Sequence, residues 1–147
     1  MTVPVDVKPG SCPNPFSPRN HGMLTVAVLG TEDVDGGAVD PTTIILSRVD
    51  GVGGSVGPHE GPPGPRSVMK DVATPGQADG CACHPMVGDG IDDWFLYFDA
   101  DELVEALQLD NVAHGTMIPV HVQGALFDGR AFSGVDCIRV VGNGRVR

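Results

Sequence analysis

Residues 116–142 read TMIPVHVQGALFDGRAFSGVDCIRVVG. In the first half, Ile118, Val120 and Val122 alternate with Met117, Pro119, His121 and Gln123. A period of two sends one set to each face of a β-strand. Asp128-Gly129-Arg130 is a hairpin-type turn, and "AFSG" with "DCIRVVG" (136–142) returns as one or two further strands. The same pattern runs outward through the chain. "TVPVDVKPG" sets Val3, Val5 and Val7 against Thr2, Pro4, Asp6 and Lys8. Pro4 has no N–H to give to a ladder, so an edge strand is expected there. "MLTVAVLG" (23–30) is apolar throughout and predicts a central strand buried on both faces. "TTIILSRV" (42–49) is β-branched, and "SVMKDV" (67–72) and "DWFLYF" (93–98) add two more strands. "DADELVEALQL" (99–109) predicts the one helix, with Asp99 as N-cap and Glu102 at the third helical position, a capping-box pattern. Leu103, Ala106 and Leu107 then share a face. The expectation is an all-β, immunoglobulin-like β-sandwich of seven or eight strands with one short helix (99–109).

The chain has 147 residues, of which 21 are glycine and 13 proline. That length predicts a single domain over 1–147 with a real core. So much glycine and proline rules out a mostly helical protein. Much of it falls in "DGVGGSVGPHEGPPGPR" (50–66), which reads as a long flexible loop. The net charge of −10 repels phosphate backbones and attracts cations, so nucleic acid is not an expected partner. No run of about 18 apolar residues predicts a membrane span. Met1 leads directly into "TVPVDVKPG", with no signal peptide in this numbering.

In order, "VDVKPGSCPNPFSPRNHGMLTVAVLGTEDVD…VDPTTI", "DVATP", "GDGIDDWFLYF" and "GALFDGRAFSGVDCIRV" resemble a largely uncharacterised domain of bacterial secreted and surface proteins. That domain's pattern is V-D-I-K-P-G-S, then V-A-I-L-G-T, then D-G-x-x-D-L, then D-G-x-x-x-x-G-x-D. The likeness spans residues 5 to 141. It implies an extracellular or cell-surface β-sandwich and no known catalysis.

The stretch "DVATPGQADGCACHPMVGDGIDDWFLYF" (71–98) holds five aspartates, two cysteines and a histidine. In the domain it resembles, the corresponding stretch is a compact calcium-loop pattern. The resemblance carries Asp89 and Asp93 over as Ca²⁺ ligands, with Asp71 reaching in from the preceding strand. The Ile91 carbonyl and either Asp92 or Asp79 would complete the shell, since Ca²⁺ takes six to eight oxygens. The competing reading is a solvated acidic turn. The loop is not an EF-hand, because the terminal glutamate is missing.

"CACH" raises zinc on Cys81, Cys83 and His84, with Cys12 and Cys137 as further thiolates. The C-x-C spacing is tighter than structural zinc uses, so disulfides are the better reading. Four cysteines allow three connectivities. Cys12 follows the first strand and Cys137 begins the last, which favours Cys12–Cys137 and leaves Cys81–Cys83. The long bridge would be worth about 4–5 kcal/mol in the chain-entropy model.

Histidines 21, 59, 84, 114 and 121 are scattered and read as surface groups. No G-x-S-x-G elbow supports a hydrolase. Asp92 and Asp93 are adjacent, so on a strand they face opposite ways and make no glycosidase pair. "GVGG" (51–54) lacks the lysine of a phosphate loop. The expected function is a non-enzymatic extracellular structural or adhesive module held by Ca²⁺ and disulfides. An alternative is a self-assembling subunit of a filament, surface layer or virion decoration, joined to copies of itself by β-strand addition from the N-terminal segment. A third is a carbohydrate-binding module, against which stand one Trp, one Tyr and five Phe.

Overall fold

A computed structural model describes residues 1–9, 11, 14–32, 34, 36–61, 64–65, 67–71, 81, 84 and 88–142. Two sheets carry the architecture. The first is built from β1 (Val5–Val7), β3 (Met23–Val28), β8 (Ser67–Lys70) and β9 (Asp93–Asp99), in the order β1-β3-β9-β8 with every pairing antiparallel. The second is built from β2 (Pro15–Phe16), β4 (Val39–Arg48), β5 (Ser55–Val56), β10 (Met117–Leu126) and β11 (Ala131–Val140), in the order β2-β11-β10-β4-β5. Strands of three residues or more number seven in these two sheets. Their spacing is that of the expected all-β sandwich with one short helix.

Alternation explains how the sheets meet. Ile118, Val120 and Val122 of β10 are buried, while the alternating Met117, Pro119 and Gln123 are exposed and His121 is half-buried. Phe132, Ile138 and Val140 of β11 and Ile44 and Leu46 of β4 complete that inner face. Val5, Val7, Leu24, Val26, Val28, Leu96 and Phe98 answer from the first sheet, and all belong to one core cluster. The hairpin β10–β11 pairs from Met117↔Arg139 to Ala125↔Ala131 around the Asp128–Arg130 turn. Gly129 takes the positive φ (92°) that this turn needs.

The first sheet is also covered on its other side. Ala27 and Leu29 are fully buried and pack with Phe95 in a second small cluster. Asp6 lies opposite Ala27, and Ala27 opposite Phe95, so Asp6 shares that back face. β3 is thus buried on both faces, as its uniformly apolar sequence requires.

The helix α1 (Ala100–Ala106) is seven residues long, shorter than the expected 99–109. Its start follows the sequence signal: Asp99 Oδ1 accepts the Glu102 N–H at 3.0 Å. Its end does not, because Gln108 turns left-handed at φ 53° and a separate 3-10 turn follows over Leu109–Asn111. Leu103, Val104 and Leu107 are buried against the core. No described helix is long and apolar enough to cross a membrane.

The 50–66 stretch is not one featureless loop. It contains β5, paired with the end of β4, and a two-stranded hairpin of β6 (Glu60–Gly61) and β7 (Gly64–Pro65). Its first part is docked on α1, where the Gly54 N–H donates to Ala106 O at 2.8 Å. At Gly53 a Cβ would collide with Ala106 O.

The cysteine pairing corrects the expectation. Cys81 and Cys137 sit at disulfide distance, with Cα atoms 5.0 Å apart. That excludes both Cys12–Cys137 and Cys81–Cys83. Cys81, between β8 and β9, is carried back against β11, a tertiary placement that strand order alone does not reveal. Cys12 and Cys83 lie outside the described residues.

Candidate functional site

Edge strand β1 turns alternate residues toward its neighbour. The Lys8 N–H donates to Thr25 O at 2.7 Å, and Pro4 O accepts from Leu29 N at 2.9 Å. Pro4, Asp6 and Lys8 therefore pair with β3, while the backbone groups of Val5 and Val7 face away from it. An exposed row of such groups would invite another strand. Here side chains from elsewhere in the chain meet two of them. Asp136 Oδ2 on β11 accepts the Val7 N–H at 2.7 Å. His84 Nε2 lies 2.9 Å from Val5 O, so Nε2 carries a hydrogen and donates. Ahead of β1, Val3 N donates to Ser133 O and Ser133 N to Met1 O, both at 2.9 Å. The N-terminal residues thus run along β11, and the chain crosses to the first sheet at Pro4.

Asp136 is the hub of this junction. Its Oδ1 accepts the Cys137 N–H at 2.8 Å, and its Oδ2 also takes Asn14 Nδ2 at 3.2 Å. Asn14 Nδ2 donates in addition to Cys137 O at 2.8 Å. Burial pushes the Asp136 carboxyl up, opposed by the N–H groups of Val7 and Cys137, the His84 ring and Asn14. Asp6, 5% exposed, is pushed up to about 7, first by burial and then by repulsion from Asp136 and Asp93. Asp93 is fully buried and its Oδ1 accepts the Gly30 N–H at 2.8 Å. Gly30 is required there, because a Cβ would collide with Asp92 O.

A carboxyl titrating near neutrality is what a general acid needs. Asp6, Asp93 and Asp136 are each 5% exposed or less. Asp136 accepts from backbone groups of β1 and β11 and from Asn14, and Asp93 accepts from the Gly30 N–H just beyond β3. The cluster ties the edge strand, the last strand and the insert together.

The residues expected to hold calcium fall in two places. Asp71 receives the N–H of Asp89 at 3.1 Å on Oδ1 and that of Gly90 at 2.7 Å on Oδ2. Asp89 Oδ1 in turn accepts Ile91 N at 3.0 Å. Gly88 leaves room for the Asp71 carboxylate, since a Cβ there would lie 2.6 Å from its Oδ2. Asp71 and Asp89 therefore meet in one exposed loop, with Gly90 at φ +87° making the turn. Asp93 faces Gly30 instead, Asp92 is exposed, and Asp79 lies outside the described residues. No group of three metal-ligating side chains occurs among the described residues. With Cys81 in a bridge it offers no thiolate, which removes the zinc set built on Cys81, Cys83 and His84.

Reading all five histidines as surface groups is corrected at His84, which is buried. His21, by contrast, is exposed and sits 2.8 Å from Asp101. Sequence reasoning missed Asp6, Asn14, His84 and Asp136 as one site. The available signal was a charged residue inside an otherwise β-branched strand, "VDV", and again in "VDCIRV". No family model, no curated protein and no solved structure matches this chain.

Proposed function

We propose that this chain is a non-enzymatic structural module of the extracellular kind, a β-sandwich that spaces or adheres rather than catalyses. The observation that supports it best is the use made of its buried polar groups. Asp136, Asn14 and His84 are engaged with the module's own strands β1 and β11, and Asp93 with Gly30 beyond the end of β3. A Cys81–Cys137 bridge beside them suits an oxidising compartment. Strand addition between copies remains the alternative. It would need an edge other than β1, or displacement of Asp136 and His84 from it.

Calcium enters this reading at the acidic loop, where Asp71 and Asp89 lie together. A ligand that binds only the folded state raises its melting midpoint. Melting in EDTA and then in about 2 mM Ca²⁺, roughly 2- to 20-fold above the Kd range of extracellular sites, is expected to raise the midpoint. Asp71→Asn should abolish the rise. Equal midpoints in the two buffers would remove calcium and leave the backbone clamp on Asp71 as the loop's own device. For the module itself, a robust hydrolytic activity abolished by Asp6→Asn or Asp136→Asn in a still-folded chain would overturn the structural reading.

A further inference from the structure

At the opposite end of β3 from Asp93, a cleft of about 380 Å³ opens between the end of β1, β2 and the start of β3. That is the size of a small-ligand site. Phe16 and Leu24, both almost fully buried, form its apolar floor, and Met23 stands partly exposed at its rim. Lys8, Ser17 and Asn20 supply its polar lining. None of these residues belongs to the buried carboxylate cluster or to the acidic loop.

Lys8 is the unusual member. Its backbone is left-handed, φ 52°, and it precedes Pro9. A residue before proline is normally extended, and a bulky residue at positive φ is an outlier whose cost must be offset by its surroundings. Bonds on both sides hold it: Lys8 N donates to Thr25 O, and Lys8 O accepts Ser11 N at 3.1 Å. This backbone brings the ammonium to the cleft, where Nζ donates to Pro15 O at 2.8 Å. An ammonium has three donors, so two remain. Lys8 makes no ion pair among the described residues, although the chain carries ten excess negative charges.

We propose that this cleft binds a carboxylate attached to a short apolar body, with the carboxylate on Lys8 Nζ and the apolar part over Phe16, Leu24 and Met23. One ammonium with two spare donors matches the single charge and two oxygens of a carboxylate. A phosphate dianion would call for more donors or a guanidinium fork. The proposal gives the module a ligand and stands independently of whether calcium occupies the acidic loop.

The test is a titration of the ¹⁵N-labelled full chain with N-acetylleucine, with N-acetylleucinamide and inorganic phosphate as controls. Fragments of this size bind in the millimolar range. The acid is expected to shift the amides of Lys8, Phe16, Ser17 and Leu24 and to saturate. The amide should bind about tenfold or more weakly, the factor a charge-assisted bond supplies. Lys8→Met, which keeps the aliphatic stem, should lose the same factor, and Lys8→Arg should restore most of it. The comparison of acid with amide on the unmodified chain stands even if Lys8→Met fails to fold. Equal binding of acid and amide, preferential binding of phosphate, or no shift with acid up to about 20 mM, an order above that range, would each overturn the proposal.

Discussion

Burial, more than any partner, governs Asp6. Its carboxyl faces Asp136 and Asp93 from within the fold, and it stays protonated up to about pH 7. In the unfolded chain it would lose that proton near the ordinary aspartate value, about 3.9. Between those two pH values the folded state holds the extra proton, so stability falls as pH rises and levels off above about 7. Asp136 is shifted in the same direction and adds to the slope. Asp50, held below its usual range first by the Arg48 side chain, and Asp128, held down first by the Arg130 N–H, act the opposite way. Both are exposed, and they matter only as pH falls through their lowered values. The melting midpoint should therefore be highest near pH 4–5 and lower at pH 8. Asp6→Asn keeps the shape and removes the charge. It should flatten this decline and raise the midpoint at pH 8 by roughly 3 °C for each kcal/mol of desolvation and repulsion relieved. Calorimetry of both proteins from pH 4 to 9 checks it, and parallel profiles would mean that Asp6 is solvated.

At the level of elements, alternation located β1 and β10, a continuous apolar run located β3, β-branched and aromatic runs located β4 and β9, and the stretches 67–72 and 131–142 gave β8 and β11. The helix start was legible through Asp99 and Glu102. Its end was not, since Gln108 is an ordinary residue made left-handed by what surrounds it. The junction at β1 was not legible either: "VDV" shows that Asp6 faces away from Val5 and Val7, but not that the back of the sheet is covered. The acidic loop was half legible. Asp71 and Asp89 do converge, yet Asp93, the first residue of β9, is buried and accepts the Gly30 N–H. The close crossing of β1 over β11 at Gly134 gives a prediction of its own. A Cβ there would collide with Val3 O and with Val5 Cγ2. Gly134→Val should therefore cost about 3 kcal/mol, the upper part of the usual range for overpacking. It should lower the urea midpoint and speed amide exchange at Val3 and Val7, whose N–H groups bond Ser133 O and Asp136. Unchanged exchange at those two amides would show that β1 does not pass against Gly134.

For the whole molecule, the Cys81–Cys137 bridge joins the insert to the last strand across a sequence separation of 56. Closing a loop of that length is worth about 4 kcal/mol in the chain-entropy model, a large share of the 5–15 kcal/mol by which domains are stable. It also holds His84, three residues beyond Cys81, at Val5 O, so the bridge and the capped edge of β1 support each other. With this bridge made, the only second pairing left to four cysteines is Cys12 with Cys83. Trypsin separates the alternatives without reduction, since Lys8 precedes proline and resists cleavage. Cys12 then falls in fragment 1–19, Cys81 and Cys83 in 71–130, and Cys137 in 131–139. The expected digest of the oxidised protein is 1–19, 71–130 and 131–139 joined as one species. Cys83→Ser should keep 71–130 linked to 131–139, and Cys81→Ser should lose that link together with most of the stabilisation. A digest in which 1–19 pairs with 131–139 while 71–130 runs alone would instead require Cys12–Cys137. It would detach the insert from β11 and leave the Val5 carbonyl without its imidazole donor.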